Sequence, residues 1–140
     1  MCMDMGAEMK HIKRIFTIMI SFPFVLLGLF ILYSLLGMGV NHISTYRQTK
    51  VLKANLEKTI EHIQITDVYS ETGNTSGTGN HVDCLTRILF STDSSLEEIK
   101  EGMSRYYEFS EWGCFVEETE EGYLFYLNTS APFADNIEGH

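Results

Sequence analysis

The sequence predicts an α+β protein: one N-terminal transmembrane helix continuing into an amphipathic stalk helix, then a small antiparallel sheet of about four strands with one packed helix. Three observations carry this expectation. Ile15 to Val40, IFTIMISFPFVLLGLFILYSLLGMGV, contains no charged residue. The stretch after it contains neither Gly nor Pro and spaces its apolar residues as a helix does. Beyond residue 64, short β-branched and aromatic runs alternate with turn residues, interrupted by a single capped helical pattern. The domains expected are a tail over 1–14, a span over 15–40, a stalk over 41–63 and a head over 64–140.

The tail begins MCMDMGAEM, which lacks periodicity and is expected to be disordered. The apolar run, as a helix, is about 39 Å long, enough to cross a hydrocarbon core of about 30 Å. A signal peptide has an apolar core of about 7–15 residues, shorter than this run, although Gly37 and Gly39 form a small-x-small pair at its end. Pro23 removes one backbone hydrogen bond and is expected to kink the helix. Gly28 and Gly37 are not spaced as GxxxG, so nothing here supports dimerisation through the span.

In the stalk, Leu52, Leu56, Ile60 and Ile63 form a stripe that packs on the protein's own head or, less simply, on a partner. Ile65 to Ser70 reads as a first strand, and ETGNTSGTGN after it as a loop without a phosphate-binding signature. His81 to Thr92 is a strand with Val82, Cys84, Ile88 and Phe90 on one face and Leu85 and Leu89 on the other. Ser94 or Ser95, three residues before Glu97 or Glu98, caps a helix whose apolar positions run from Leu96 through Tyr107. Gly102 inside it is expected to mark close packing on the sheet. Cys114–Thr119 and Tyr123–Thr129 form a hairpin turned at Gly122, and the chain from Ala131 is expected to fray.

Charge separates these segments. Residues 1–14 carry three basic and two acidic groups, 41–63 four and two, and 64–140 three and fifteen, within an overall charge of −9. A head this acidic repels phosphates, which argues against nucleic acid and for a partner with a basic surface. Lys10, Lys13 and Arg14 adjoin the start of the span, whereas Arg47, Lys50 and Lys53 begin seven residues beyond its end. The cell membrane is thus the expected location, single-pass, with the N-terminus cytoplasmic and the head outside. In that oxidising setting a Cys84–Cys114 disulfide is expected; the alternative is two buried thiols that never meet. Cys2 reads as a plain thiol.

The search for chemistry leaves little. His11, His42, His62, His81 and His140 contain no metal-ligand pair, and neither cofactor nor metal is expected. Cys84, His81 and Asp83 supply the residue types of a thiol nucleophile, but the strand reading sets His81 on the face opposite Asp83, and no catalysis is expected. Glu108, Glu111, Glu117, Glu118, Glu120 and Glu121 form an acidic cluster without calcium-loop spacing. It reads as a solvated strand edge or, with Trp112, as the docking site of a basic protein. Trp112, Tyr106, Tyr107, Phe109 and Phe115 read as core aromatics.

These features lead to a membrane-anchored, non-catalytic interaction module. The alternatives are an envelope-complex or pilin-like subunit, or an antidote to a basic toxin. An apolar N-terminal helix running into an amphipathic stalk and a sheet resembles the layout of type IV pilins. Pilin leaders end in a glycine before the helix, with glutamate at its fifth position; here Lys13-Arg14 precede the run, and 15–40 contains no acid. The resemblance is therefore one of layout alone.

Overall fold

A computed structural model describes residues 5–77 and 79–139, with side chains described from residue 9 onward. The elements are helix α1 (Met5–Thr59), strands β1 (Gln64–Gly73) and β2 (Asp83–Ser91), helix α2 (Leu96–Met103), strands β3 (Cys114–Thr119) and β4 (Gly122–Ser130), and a closing 3-10 turn over Ile137–Gly139. This is the α+β arrangement the sequence predicts. The chain divides into two compact units, residues 1–36 and 37–140.

In the first unit α1 is apolar all round from Ile15 onward. Ile15, Phe16, Met19, Leu26, Phe30 and Leu35 are each at least half exposed, and the helix is long and apolar enough to cross a membrane. It continues through Pro23. Helix begins at Met5, so the disorder expected over residues 1–9 is not found over residues 5–9, where Ala7, Glu8 and Met9 are good helix formers. Residues 1–4, Cys2 among them, lie outside the described residues.

In the second unit the sheet has the order β1-β2-β4-β3, antiparallel throughout. The alternation along each strand creates an inner face of Cys84, Thr86, Ile88 and Phe90 on β2, Phe125 and Leu127 on β4, and Cys114 and Val116 on β3, all buried. The C-terminal part of α1 lies on this face. Leu52 and Leu56 are fully buried and Ile60 nearly so, with Ile63 half-buried beside them. The stalk stripe therefore packs on its own head. The helix stops at Thr59 rather than 63, where the left-handed His62 (φ 50°) turns the chain into β1.

Above Leu52 the same helix meets the sheet through polar groups. Gln48 Nε2 donates to Cys84 O at 2.7 Å and its Oε1 accepts from Thr129 Oγ1 at 2.5 Å. Thr49 and Thr86 hydroxyls lie 2.8 Å apart, and those of Thr45 and Thr72 2.6 Å. Asn41 pairs with both backbone groups of Phe133, donating to its carbonyl at 3.0 Å and accepting from its N–H at 2.9 Å. The C-terminal segment is thus docked, not frayed. Ala131 N donates to Val82 O and Val82 N to Ala134 O, each at 2.9 Å. Gly37 makes room for it, since a Cβ there would sit 2.6 Å from Asn136 Nδ2.

Helix α2 carries the expected capping box at Ser95 and Glu98: Ser95 N donates to Glu98 Oε2 at 2.7 Å, and Glu98 N returns to Ser95 Oγ at 3.4 Å. These bonds to Ser95 hold the Glu98 carboxyl below its ordinary pKa. The helix ends at Met103, short of the expected extent, because the chain turns there and Tyr106 N and Tyr107 N both donate to Met103 O. Gly102 faces α1, not the sheet: a Cβ there would meet Thr59 Cγ2 at 2.7 Å. The β3–β4 turn needs Gly122, at φ +130°, whose missing side chain would run into the Phe90 carbonyl.

The expected Cys84–Cys114 disulfide is absent, and both residues are buried free thiols. Strand order explains this. Cys84 on β2 pairs with Thr129 and Cys114 on β3 with Leu127, so β4 lies between them. Two strand spacings are about 10 Å, beyond the roughly 7 Å that a disulfide spans between Cα atoms. Burial pushes the Cys114 thiol up to about 11.

Candidate functional site

The residues between α2 and β3 build the most unusual surface of the second unit. Tyr107 and Phe109 turn inward, their rings 5.8 and 5.9 Å from that of Phe125. Tyr107 OH accepts from Asn55 Nδ2 at 3.1 Å, and burial raises the Tyr107 pKa above its ordinary value. Ser110 then ties a tight turn. Its N–H donates to Cys114 O at 2.7 Å, and its hydroxyl accepts from the N–H groups of Gly113 and Cys114 at 3.0 and 3.2 Å. Gly113 O anchors the turn to β4 by accepting from Asn128 N at 2.6 Å. At the tip of this stapled turn Trp112 is 85% exposed.

The six glutamates named with Trp112 are all exposed, and the structure strings them along the β3 side of the sheet. Glu108 and Glu111 precede β3, Glu117 and Glu118 lie on opposite faces of it, and Glu120 and Glu121 form the turn into β4. They make a charged edge rather than a convergent cluster. Trp112 is not core, contrary to expectation; the turn closes on Ser110 and leaves the indole outside. Tyr106 is also partly exposed, while Phe115 lies on the outer face.

That outer face was not singled out from the sequence. Register sets Tyr69, Arg87, Tyr126 and Phe115 in one row across all four strands. The Arg87 guanidinium lies 4.3 Å from the centre of the Tyr69 ring, and Phe115 stacks on Tyr126 at 4.6 Å with 12° between planes. Asp67, Leu89, Leu124 and Glu117 form the neighbouring row. Glu71 accepts from Tyr69 OH at 2.5 Å, which raises the tyrosine pKa. One end of the face is roofed by the loop after β1, through Thr75 to Asn128 at 3.2 Å and Ser76 N to Asp83 at 3.0 Å. Beyond that end Asp67, Tyr69, Arg87 and Glu117 are exposed and Leu89, Phe115, Leu124 and Tyr126 half-buried. Strict alternation in YLFYLNTS and CFVEET is the signal that would have found this row.

The residues expected to lack catalytic geometry come closer than expected without forming a relay. His81 precedes β2 and does reach Asp83, at 3.3 Å, because residues two apart share a face. Ser130 Oγ is 3.0 Å from the same His81 Nε2. A Ser–His–Asp relay needs the acid and the hydroxyl on different ring nitrogens, and here both use one. Cys84 faces the other way, toward Asn41 O. His42 Nε2 and Glu138 Oε1 pair at 2.7 Å, and among the described residues no three His, Cys, Asp or Glu converge on a metal position.

The chain matches no family model, no curated protein and no solved structure.

Proposed function

We propose that this protein is a single-pass, membrane-anchored, non-catalytic interaction module, with its N-terminus in the cytoplasm and an acidic head that binds a protein partner of basic surface outside it. The observation that carries the reading is Trp112. A solvated edge has no need of an indole, and removing it from water is worth more than any other single side chain there. A turn tied at its base by Ser110 and Gly113 holds it out at little entropic cost on binding. Glu108, Glu111, Glu117, Glu118, Glu120 and Glu121 surround it or continue the same edge, where they favour cationic side chains and accelerate encounter. Anchoring rests on the apolar α1, and orientation on Lys10, Lys13 and Arg14 at its start. The free thiols withdraw the redox argument for export, so basic-residue placement alone supports it.

The test is photo-crosslinking of the full-length protein in its native membranes, with a photoreactive side chain at position 112 or 117 and a control at exposed Glu97 on α2. A discrete adduct with a protein is expected from 112 and 117. Yields no greater than from 97 contradict the reading.

A further inference from the structure

We propose that the basic surface this acidic head takes is α1 of a second copy, so that the protein assembles head to tail. The inference rests on the reading above, names the partner, and extends the contact from the β3 edge onto the outer sheet face, the two surfaces meeting at Glu117. The second unit has two unlike outer surfaces. On one, the exposed ridge of α1 presents Arg47, Lys50, Lys53 and Lys58, with Glu57, which pairs with Lys53 at 3.8 Å, as its carboxylate. Ile43, Tyr46 and Val51 lie exposed along the same stretch, and Tyr46, Lys50, Lys53, Ala54 and Glu57 line a shallow groove. On the other, the outer sheet face presents Asp67, Glu71 and Glu117 around the row Tyr69, Arg87, Tyr126 and Phe115, and Arg87 is already held over Tyr69.

The α1 ridge thus presents four cations against one carboxylate, beside an α2 that carries Glu97, Glu98, Glu101 and Lys100, and the outer sheet face presents three carboxylates against one cation. Pairing two sheet faces, or two helix ridges, juxtaposes like charges. Only helix on sheet is complementary, which excludes a symmetric dimer through either surface and gives a heterologous, repeating contact. That contact repeats the layering inside the head, where α1 already covers the inner face of its own sheet. Lysine and arginine stems can lie across Phe115 and Tyr126 with their heads at Asp67 and Glu117.

The experiment uses full-length protein in mixed-lipid nanodiscs or native membranes, read as the oligomer trapped by a photoreactive side chain at position 115, a chemistry that charge substitutions do not consume. Lys50→Glu with Lys53→Glu reverses the helix ridge; Asp67→Lys with Glu117→Lys reverses the sheet face. Each variant alone now meets like charge and is expected to lose self-association by about tenfold or more, and the wild type to lose it on raising salt several-fold above about 0.1 M. Mixed, the two variants present matched surfaces at both junctions, so association returns; a misfolded variant cannot be rescued this way. Wild-type association unchanged in both variants, or no recovery on mixing, overturns the proposal. An adduct from position 112 or 117 to a different protein, with no self-adduct, overturns it too but leaves the broader interaction reading standing; no adduct of any kind removes both.

Discussion

The inner and outer faces of the one sheet are built from alternate residues of the same strands, yet they do different work. The inner face buries Ile88, Phe90, Val116 and Phe125 under α1 and α2 and contributes most of the apolar burial of the second unit. The outer face spends comparable side-chain mass on Tyr69, which is exposed, and on Phe115, Tyr126 and Leu124, which are half-buried between carboxylates. Cross-strand aromatic contacts there add about 0.5–1.5 kcal/mol each. The difference shows how a strand of period two carries a structural code and an interaction code together, because neither constrains the other's positions.

The inner face should be the more costly to damage. Phe125→Ala removes a fully buried ring that Tyr107 and Phe109 both meet, and is expected to lower stability by about 3–5 kcal/mol; Leu56→Ala should cost about 2–5 kcal/mol, each measured by denaturant titration. Asn41→Ala removes the two hydrogen bonds that Asn41 makes to the Phe133 backbone, and should cost about 2 kcal/mol, with faster hydrogen exchange along residues 131–139. Ser95→Ala breaks the capping box and should cost about 1 kcal/mol. At the other extreme, Trp112→Ala should change stability by less than about 0.5 kcal/mol while abolishing the adduct formed at the β3 edge. A Trp112→Ala loss as large as that at Phe125 would show that the indole packs as a core side chain does.

The pH profile sharpens it. The Cys114 thiol ionises near 11 folded and near 9 unfolded. Only the unfolded chain loses this proton between those values, so stability present below about pH 9 is lost as pH rises toward 11. In Cys114→Ala the slope of unfolding free energy against pH across this window should be shallower than in the wild type.

The parts legible in the sequence are those governed by local period. The stripe Leu52, Leu56, Ile60, the capping signal at Ser95 and the hairpin at Gly122 each need only neighbours along the chain. What stayed hidden depends on who lies opposite. Asn41, Thr45, Gln48 and Thr49 give no periodic signal along the chain, because their partners are backbone and hydroxyl groups up to 92 residues away. The segment after Ala131 has no period of its own and is held by Asn41 and by the space at Gly37. The expected disulfide failed on strand order, since β4 inserts between the strands that carry Cys84 and Cys114. Trp112 read as core because an indole between strand and helix patterns has high prior burial, and only the Ser110 turn reverses that. The acidic edge was legible as residues but not as geometry, and the Tyr69 to Phe115 row was missed.

Thiol labelling in intact cells bears on the whole account at once. In a protein carrying Cys2→Ser and Trp112→Cys, a membrane-impermeant maleimide should label the introduced thiol at position 112 without lysis, and should reach the inner-face Cys84 and Cys114 only after denaturation. Labelling at position 112 that waits for lysis would place the head in the cytoplasm. Ready labelling of Cys84 or Cys114 in the native protein would show that the inner face is not the packed one.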